Sequence, residues 1–163
     1  MQVHLDFLQF ESRLRRTRKE GKEYIFDPIR KKHLVLTPEE LLRQLVLLYL
    51  MEERMYPSSR IRSEQRVVIN DMPKRCDILV YDRELQPWLL IECKSPKVRL
   101  TQETFDQAAV YNLRLQVPYM AITNGLNTYI STLDHEQKTF NYLPNFPPYP
   151  PVQTPYQGVS NGQ

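Results

Sequence analysis

Hydrophobic residues along the chain occur in short continuous runs that are typical of buried β-strands. Two such runs lie close together, at 78–80 within the segment 75–82 and at 89–91 within the segment 88–95. The intervening residues 83–87 are polar and end in proline, which predicts a β-hairpin. Because the runs carry few polar residues, we expect both strands to lie in the centre of a sheet that is covered on both faces.

Apolar residues at helical spacing predict a helix from Thr37 to about Met55 and another from Thr101 to about Gln116. Further strands are predicted at 61–69, 118–123 and 128–133. The order is one helix, three antiparallel strands, a helix and a strand that runs parallel to the third. The predicted fold class is therefore α/β (α+β), with a mixed central sheet that is flanked by helices.

The two ends of the chain differ from the middle in composition. Residues 1–36 hold nine lysines and arginines against five acids, and a hairpin turn is expected at 19–21. Residues 144–163 hold six of the thirteen prolines and show no apolar periodicity. We therefore predict a basic N-terminal arm packed on the core (1–36), one domain (37–143) and an extended or disordered tail (144–163). For residues 144–163, a flexible tail is favoured over a segment that docks onto a partner.

Composition narrows the classes of function. The 163 residues are 41% hydrophobic, contain no apolar run of membrane-spanning length and begin without a signal-peptide pattern, so we expect a cytoplasmic protein. Four glycines and no phosphate-binding glycine-rich loop exclude an ATP site. The three histidines lack ligand spacing, which argues against zinc. Cys76 and Cys93 are expected on one common face of the sheet, opposite Asp77 and Glu92, as a reduced, buried pair, with a disulfide or metal pair as the alternative.

Two carboxylates and one ammonium fall at the open end of the predicted hairpin. Counting back through the turn puts Asp77 roughly opposite Lys94, with Glu92 one diagonal step away. Carboxylate oxygens, with the carbonyl of Cys93 as a third ligand, suit Mg²⁺, which activates water for phosphodiester hydrolysis. Lys94 then steers the water or stabilises the developing charge. The alternative is an Asp77–Lys94 salt bridge, but in a central strand it leaves one carboxylate unpaired at a cost of several kcal/mol.

Other candidates lie on the helices and on the first strand of the hairpin sheet. Gln107 and Tyr111 are four residues apart, and therefore on one face of the second helix. They could orient a phosphate or Lys94. Glu40 is a candidate ligand, although its position three residues after Thr37 also suits a capping box. Glu39 and Glu64 are alternatives to Glu40.

The ordered set Asp77, Glu92-Cys93-Lys94, Gln107 and Tyr111 resembles the PD-(D/E)xK nuclease superfamily in the form that carries a Q-x-x-x-Y helix motif. With the flanking residues of 37–44, 91–96 and 123–125, the chain more narrowly resembles the N-terminal nuclease domain of type I restriction enzyme R subunits. The resemblance covers about residues 24–134. Cys76 departs from it, since the name-giving motif has proline there. The motor domains of full R subunits are also absent, so translocation does not follow.

The resemblance implies a restriction-endonuclease-like αβββαβ core and a magnesium-dependent endodeoxyribonuclease, with Mn²⁺ as a possible substitute. Asp77 and Glu92 would be metal ligands, Lys94 the catalytic lysine, and Gln107 and Tyr111 supporting residues, with Glu40 completing the pocket. DNA is the expected partner, with RNA as a weaker alternative, and a motor subunit, a specificity subunit or a second copy could bind as well. The competing hypothesis is a nucleic-acid-binding or assembly module that does not cut alone.

Overall fold

The structure, a computed structural model, describes residues 1–152 of the chain. The N-terminal strands are β1 (Arg16–Lys19), β2 (Lys22–Asp27) and β3 (Lys32–Val35). The remaining strands are β4 (Ile61–Ile69), β5 (Met72–Tyr81), β6 (Pro87–Cys93), β7 (Tyr119–Thr123), β8 (Thr128–Asp134) and β9 (Thr139–Tyr142). The α-helices are α1 (Pro38–Leu48) and α2 (Gln102–Leu113), and shorter helical turns occur at Leu8–Arg13, Tyr49–Glu53 and Ser58–Arg60.

The larger sheet has six strands in the order β4-β5-β6-β7-β8-β9. Strands β6 and β7 pair in parallel and all other neighbours are antiparallel, as the connection through α2 requires. The α+β class with a mixed central sheet is confirmed, and α1, β4–β6, α2 and β7 follow the predicted αβββαβ order. Strands β3 and β9 were not predicted, because each has only four residues. The residues of β9 alternate between polar and aromatic, but over too short a run to be distinguished from a loop.

Both faces of strands β5 and β6 are covered, as their apolar runs predict. Ile78, Leu89 and Ile91 belong to the core on the α1 side. Leu79 and Leu90 belong to a second cluster on the other side, with Leu115 and Val117 at the end of α2. The strands that carry Asp77 and Glu92 therefore run through the middle of the molecule.

Helix α1 is shorter than its pattern predicts. The hydroxyl of Thr37 accepts a hydrogen bond from the Glu40 N–H at 3.1 Å, so the N-cap prediction is confirmed. After Leu48 the chain continues as the π-helical turn Tyr49–Glu53 and then takes a positive φ of 57° at Met55. The wider turn carries Tyr49 and Leu50 into the core. Apolar spacing alone does not distinguish such a turn from α-helix.

Tight turns join the hairpins where the sequence predicts them. Glu20 and Gly21, with φ of 51° and 76°, connect β1 to β2. Asn70 and Asp71, with φ of 49° and 61°, connect β4 to β5. Two successive residues with positive φ match the twist of antiparallel strands, and Gly and Asn adopt this conformation at low cost.

Residues 144–152 lie against the core, which differs from the disordered tail that the prolines predict. The side chain of Phe146 is buried beside Tyr49, and its carbonyl accepts a hydrogen bond from the Arg54 guanidinium at 2.6 Å. The hydroxyl of Tyr149 donates to the Tyr81 carbonyl at 2.9 Å. Aromatic residues between the prolines give this segment an apolar surface to bury. The rest of the predicted tail, 153–163, lies outside the described residues.

Cys76 and Cys93 are both free and buried, as expected. They belong to core clusters on opposite sides of the sheet, so their expected location on one common face is wrong. Burial raises the pKa of the Cys76 thiol to about 12 and that of Cys93 well above its usual value. Both thiols are therefore protonated at neutral pH.

Among residues 1–152, no helix is both long and apolar enough to span a lipid bilayer.

Candidate active site

The register of β5 and β6 decides which side chains meet. Ile78 pairs with Ile91 and Val80 with Leu89, and the regular pairing ends there, so Asp77 has no cross-strand partner on β6. The expected position of Asp77 opposite Lys94 is therefore wrong. Pro87 already belongs to β6, and the pairing shifts between Val80 and Tyr81, which a count through the turn does not reveal.

Asp77 lies where the pairing of β5 with β6 ends. One oxygen of its carboxylate, Oδ2, accepts a hydrogen bond from the Cys93 backbone N–H at 2.8 Å. The other oxygen, Oδ1, accepts from Nη2 of Arg43 at 3.1 Å. The carboxylate thus reaches the peptide bond that joins Glu92 to Cys93, and the two halves of the predicted motif meet at this peptide.

The guanidinium of Arg43 on α1 forms ion pairs with three carboxylates, which come from α1, β4 and β5. Its side chain is only 5% exposed and donates hydrogen bonds to Glu40, to Glu64 at 2.6 Å and to Asp77 at 3.1 Å. We call these four residues the Arg43 cluster. Burial alone would lower the pKa of Arg43, but the charges of Glu40, Glu64 and Asp77 raise it above its usual value. The guanidinium is therefore a permanent cation inside the predicted pocket.

Glu40 faces this cluster rather than capping its own helix. Its carboxylate accepts hydrogen bonds from Arg43, from Arg30 at 2.7 Å and from Gln44 at 3.0 Å. Its backbone N–H still completes the Thr37 cap. Glu39, the neighbouring candidate, is exposed. Of the two helix glutamates, Glu40 is the one that the Arg43 guanidinium connects with Asp77.

Glu64 has an unusual backbone for a strand residue. Its φ is 50°, between the regular pairs Ser63 with Ile78 and Gln65 with Cys76, which leaves it beside Asp77. A non-glycine residue in this conformation costs roughly 1–3 kcal/mol and is common at functional sites. The cost is offset by hydrogen bonds to the carboxylate from Arg43 and from Arg75 at 2.5 Å. Burial would raise the pKa of Glu64, but these arginines lower it.

Glu92 makes its contacts on the other side of the sheet. Its Oε1 accepts a hydrogen bond from Nζ of Lys74 at 2.9 Å, and we call these two residues the Lys74 pair. The same ammonium lies 4.9 Å from the ring centroid of Tyr111 on α2. Tyr111 therefore does contact the centre of the motif, but through Lys74 rather than through Lys94.

The side chains of Lys94 and Gln107 belong to neither the Arg43 cluster nor the Lys74 pair. Lys94 follows the last residue of β6, and its backbone N–H donates to the Thr123 carbonyl at 2.8 Å. Its half-buried ammonium forms no ion pair with any residue of 1–152. Gln107 is exposed and donates to Glu103 on its own helix at 3.3 Å. Unlike Tyr111, its side chain makes no contact with the Lys74 pair.

Sequence reasoning missed Arg43 and Lys74, and with them the charge balance of the site. It counted two acids against one base and inferred a surplus negative charge that a metal must neutralise. In the structure Arg43 pairs with Asp77 and Lys74 pairs with Glu92. The two further acids around Arg43, Glu40 and Glu64, also pair with Arg30 and Arg75, so that surplus does not exist. The spacing of Arg43 three residues after Glu40 on one helical face was a usable signal. The single pocket expected from the hairpin is instead two adjoining ion-paired groups.

The described part of the chain, residues 1–152, contains no group of three or more carboxylate, histidine or cysteine side chains arranged to hold a metal ion. Each candidate carboxylate contacts a cationic side chain in place of other carboxylates. Their oxygens are nevertheless of the type that Mg²⁺ prefers, and the side chains of Asp77 and Glu92 each remain 20% exposed.

Comparison with known proteins identifies the family of the chain. A search of the curated proteins finds no match to the chain. The family model described as "Type I restriction enzyme R protein N terminus (HSDR_N)" matches residues 38–147, from the start of α1 to the segment that follows β9. The match covers more than half of the chain and includes Glu40, Asp77, Glu92, Lys94 and the Gln107–Tyr111 helix face. The chain therefore belongs to the family of N-terminal domains of type I restriction enzyme R proteins.

Proposed function

We propose that the chain is a metal-dependent nuclease of a restriction system that hydrolyses DNA phosphodiester bonds. Family membership supports a restriction-system, nuclease-like module. The observation that carries the finer proposal is the 2.8 Å hydrogen bond from the Cys93 N–H to Asp77, which joins the two halves of the D…ExK motif. This contact holds the Asp77 carboxylate against the backbone of the Glu92-Cys93-Lys94 segment, which favours a shared role of the two parts of the motif over chance spacing.

The proposed cofactor is Mg²⁺, with Mn²⁺ as a substitute. Asp77, Glu92 and the Cys93 carbonyl have the hard oxygen donors that such an ion takes, and Glu40 is a further candidate. Arg43 and Lys74 now hold two of these carboxylates, so the ion must compete with both cations. When bound, a divalent cation supplies an activated water and neutralises charge on the phosphate.

The remaining roles belong to side chains of the chain itself. In this proposal the ammonium of Lys94, which forms no ion pair within residues 1–152, stabilises negative charge on the phosphoryl group or orients the attacking water. Tyr111 holds Lys74 by contact with its ring, and Gln107, one turn earlier, orients the substrate. Glu40 positions the guanidinium of Arg43, which in turn binds the carboxylate of Asp77. We also propose DNA as the substrate and the cytoplasm as the location. The proposed partners are a motor subunit, a specificity subunit or a second copy of the chain.

A second function has an observation of its own. Arg43 and Lys74, together with Arg30 and Arg75, pair with the carboxylates of the Arg43 cluster and of Glu92. A site whose own side chains balance its charge is what we expect of a nucleic-acid-binding or assembly module that does not cut alone. The two proposals differ in whether purified protein cleaves.

The test is a cleavage assay with the purified 163-residue chain on double-stranded DNA, single-stranded DNA and RNA, with Mg²⁺ or Mn²⁺. We expect Glu92→Gln and Lys94→Met to lower cleavage of double-stranded DNA by at least about 10²-fold, the usual effect of removing a catalytic group. Far-UV circular dichroism should show an unchanged fold. Matched controls are Glu84→Gln in the β5–β6 turn and Lys97→Met, both exposed, which should cleave normally.

Cleavage that persists in both Glu92→Gln and Lys94→Met would refute the assignment of the site. No cleavage by the unsubstituted chain under any metal, together with salt-sensitive DNA binding, would favour the second function. Cleavage of RNA in preference to DNA would replace the substrate but keep the site.

A further inference from the structure

The β4–β5 hairpin extends beyond the Arg43 cluster and presents an uncovered face. Arg66 pairs in register with Arg75, and Val68 with Pro73. All four side chains are exposed, Val68 to 73%. The opposite face of the same segment carries Lys74 and other residues that are at least partly buried. We call Arg66, Val68, Pro73 and Arg75 the hairpin face.

Two arginines directly opposite each other are unfavourable in an antiparallel pair, because like charges repel at this distance. Glu64 compensates Arg75 with a 2.5 Å ion pair. Arg66 has no ion pair with any described residue, 1–152. Strand β4 is an edge strand, and a charged residue often protects such an edge from association. At Arg75 strand β5 also lacks a neighbour other than β4, because its pairing with β6 ends at Ile78. Edge protection requires one charge on such a ribbon, but it does not account for two like charges placed directly opposite each other.

The hairpin face is continuous with the candidate active site. Arg75 binds Glu64, Glu64 binds Arg43, and Arg43 binds Asp77, in one unbroken series of ion pairs. A polyanion that contacts Arg66 and Arg75 would therefore lie next to Asp77. Asp71, at the exposed turn between the two strands, marks the end of the positive surface.

We infer that the hairpin face binds the sugar-phosphate backbone of double-stranded DNA and aligns it with Asp77; this inference rests on the proposed function. Arginines suit phosphates, and the small apolar surfaces of Val68 and Pro73 suit deoxyribose. A two-stranded ribbon of this width also enters the major groove. The four residues include no aromatic ring on which unpaired bases could stack, which favours duplex over single-stranded DNA.

The test measures DNA binding without cleavage. The full chain is titrated into a short fluorescent DNA duplex in EDTA, at several salt concentrations. Each phosphate contact contributes about 0.9 to the slope of log K against log salt, so Arg66→Ala should reduce that slope by roughly one. The matched control is Arg18→Ala, an exposed arginine of β1 in the other sheet, which should leave the slope unchanged.

An unchanged slope for Arg66→Ala would overturn the inference, as would an equal reduction in Arg18→Ala, which would indicate charge without a defined surface. A stronger Arg66 effect on a single strand of the same length would overturn the choice of duplex. Because the measurement excludes metal, it separates the two proposals. Cleavage without an Arg66 effect refutes only this inference, whereas an Arg66 effect without cleavage refutes only the nuclease assignment.

Discussion

The Arg43 cluster and the Lys74 pair lie on opposite sides of the same two strands and hold their carboxylates in different ways. Arg43 is 5% exposed and spreads a rigid, planar guanidinium over three acids. The ammonium of Lys74 forms an ion pair with Glu92 alone and lies over the ring of Tyr111. A guanidinium does not lose its proton and fixes the geometry of its partners, whereas an ammonium on a flexible stem exchanges partners readily.

This difference assigns separate tasks to the two sides. The Arg43 cluster holds Asp77 in place and contributes to the stability of the fold. In the proposed function, the Lys74 pair would hold Glu92 loosely enough for a metal ion to replace the lysine. If the comparison is correct, substitutions on the α1 side should act mainly on stability, and substitutions on the α2 side mainly on metal binding.

The largest effect is expected from Arg43→Met. It leaves Asp77 without a cationic partner and takes one of two arginines from each of Glu40 and Glu64. Breaking a buried ion pair in this way costs about 3–5 kcal/mol. The free energy of unfolding in urea measures the loss. Arg13→Met, which removes an exposed ion pair with Glu52, is the control and should cost less than about 1 kcal/mol.

Adding Asp77→Asn to Arg43→Met should recover part of the lost stability, since charge rather than packing causes the loss and Asp77 has no other cationic partner among residues 1–152. If Arg43→Met unfolds no more easily than Arg13→Met, the Arg43 cluster does not have the stabilising role that separates it from the Lys74 pair.

A smaller effect is expected from Asp27→Asn, which concerns the acid next to the Arg43 cluster. The carboxylate of Asp27 is fully buried and accepts from the Arg30 side chain at 2.6 Å and from the backbone of Ile29 and Arg30. Burial would raise its pKa, but the hydrogen bonds and charge of Arg30 lower it below the ordinary 3.8. The ionised group therefore stabilises the fold above about pH 4, and this contribution is lost as the pH falls below 3.8.

Urea unfolding at pH 6 should show a loss of roughly 1.5–3 kcal/mol for Asp27→Asn, the worth of hydrogen bonds to a charged group. Between pH 4 and pH 3 the substituted chain should lose less stability than the unsubstituted one. Equal acid sensitivity in the two chains would show that Asp27 does not carry the pH dependence. Asp6→Asn, at an exposed acid, is the control.

The smallest effect on stability is expected from Lys74→Met, about 1 kcal/mol or less, because one partly exposed ion pair is lost. Its effect on metal binding should be the larger one. Without a competing ammonium at Glu92, the affinity for Mn²⁺ should rise by roughly three- to tenfold, which corresponds to about 1 kcal/mol. Isothermal titration calorimetry measures this affinity independently of cleavage.

Tyr111→Leu should shift the Mn²⁺ affinity in the same direction but less, since it only loosens Lys74, and Tyr111→Phe should match the unsubstituted chain. A lower affinity in Lys74→Met would mean that the lysine assists the ion rather than competing with it. The distinction between the two sides of the sheet would then fail.

The sequence predicted much of the fold, because hydrophobic runs and turn residues carry local information. The apolar runs of β5 and β6, the Thr37 cap and the Asn70-Asp71 turn all led to elements that the structure contains. The short strands β3 and β9 carry no such signal, and their positions depend on pairing with neighbours.

The site was predicted less completely, because its geometry depends on register and on side chains from distant elements. Strand β6 begins at Pro87, which pairs with Tyr81, so Lys94 lies beyond the β5–β6 pairing that ends at Ile78 and Ile91. The cations that balance the charge come from α1 and from the far end of β5, and no spacing rule connects Lys74 with Glu92 eighteen residues later. The identity of the acids was readable from the sequence, whereas their partners were not.

The packing of residues 144–152 has a practical consequence for work with this protein. This segment covers aromatic side chains of the core, with Phe146 against Tyr49 and Tyr149 against Tyr56 and Trp88. Truncation after residue 143, which follows the last strand, would expose these aromatic rings to water. Exposed apolar surface of this kind promotes aggregation. Truncations that aim at a minimal domain should therefore retain the chain through Pro150, whose carbonyl is bound by Arg83.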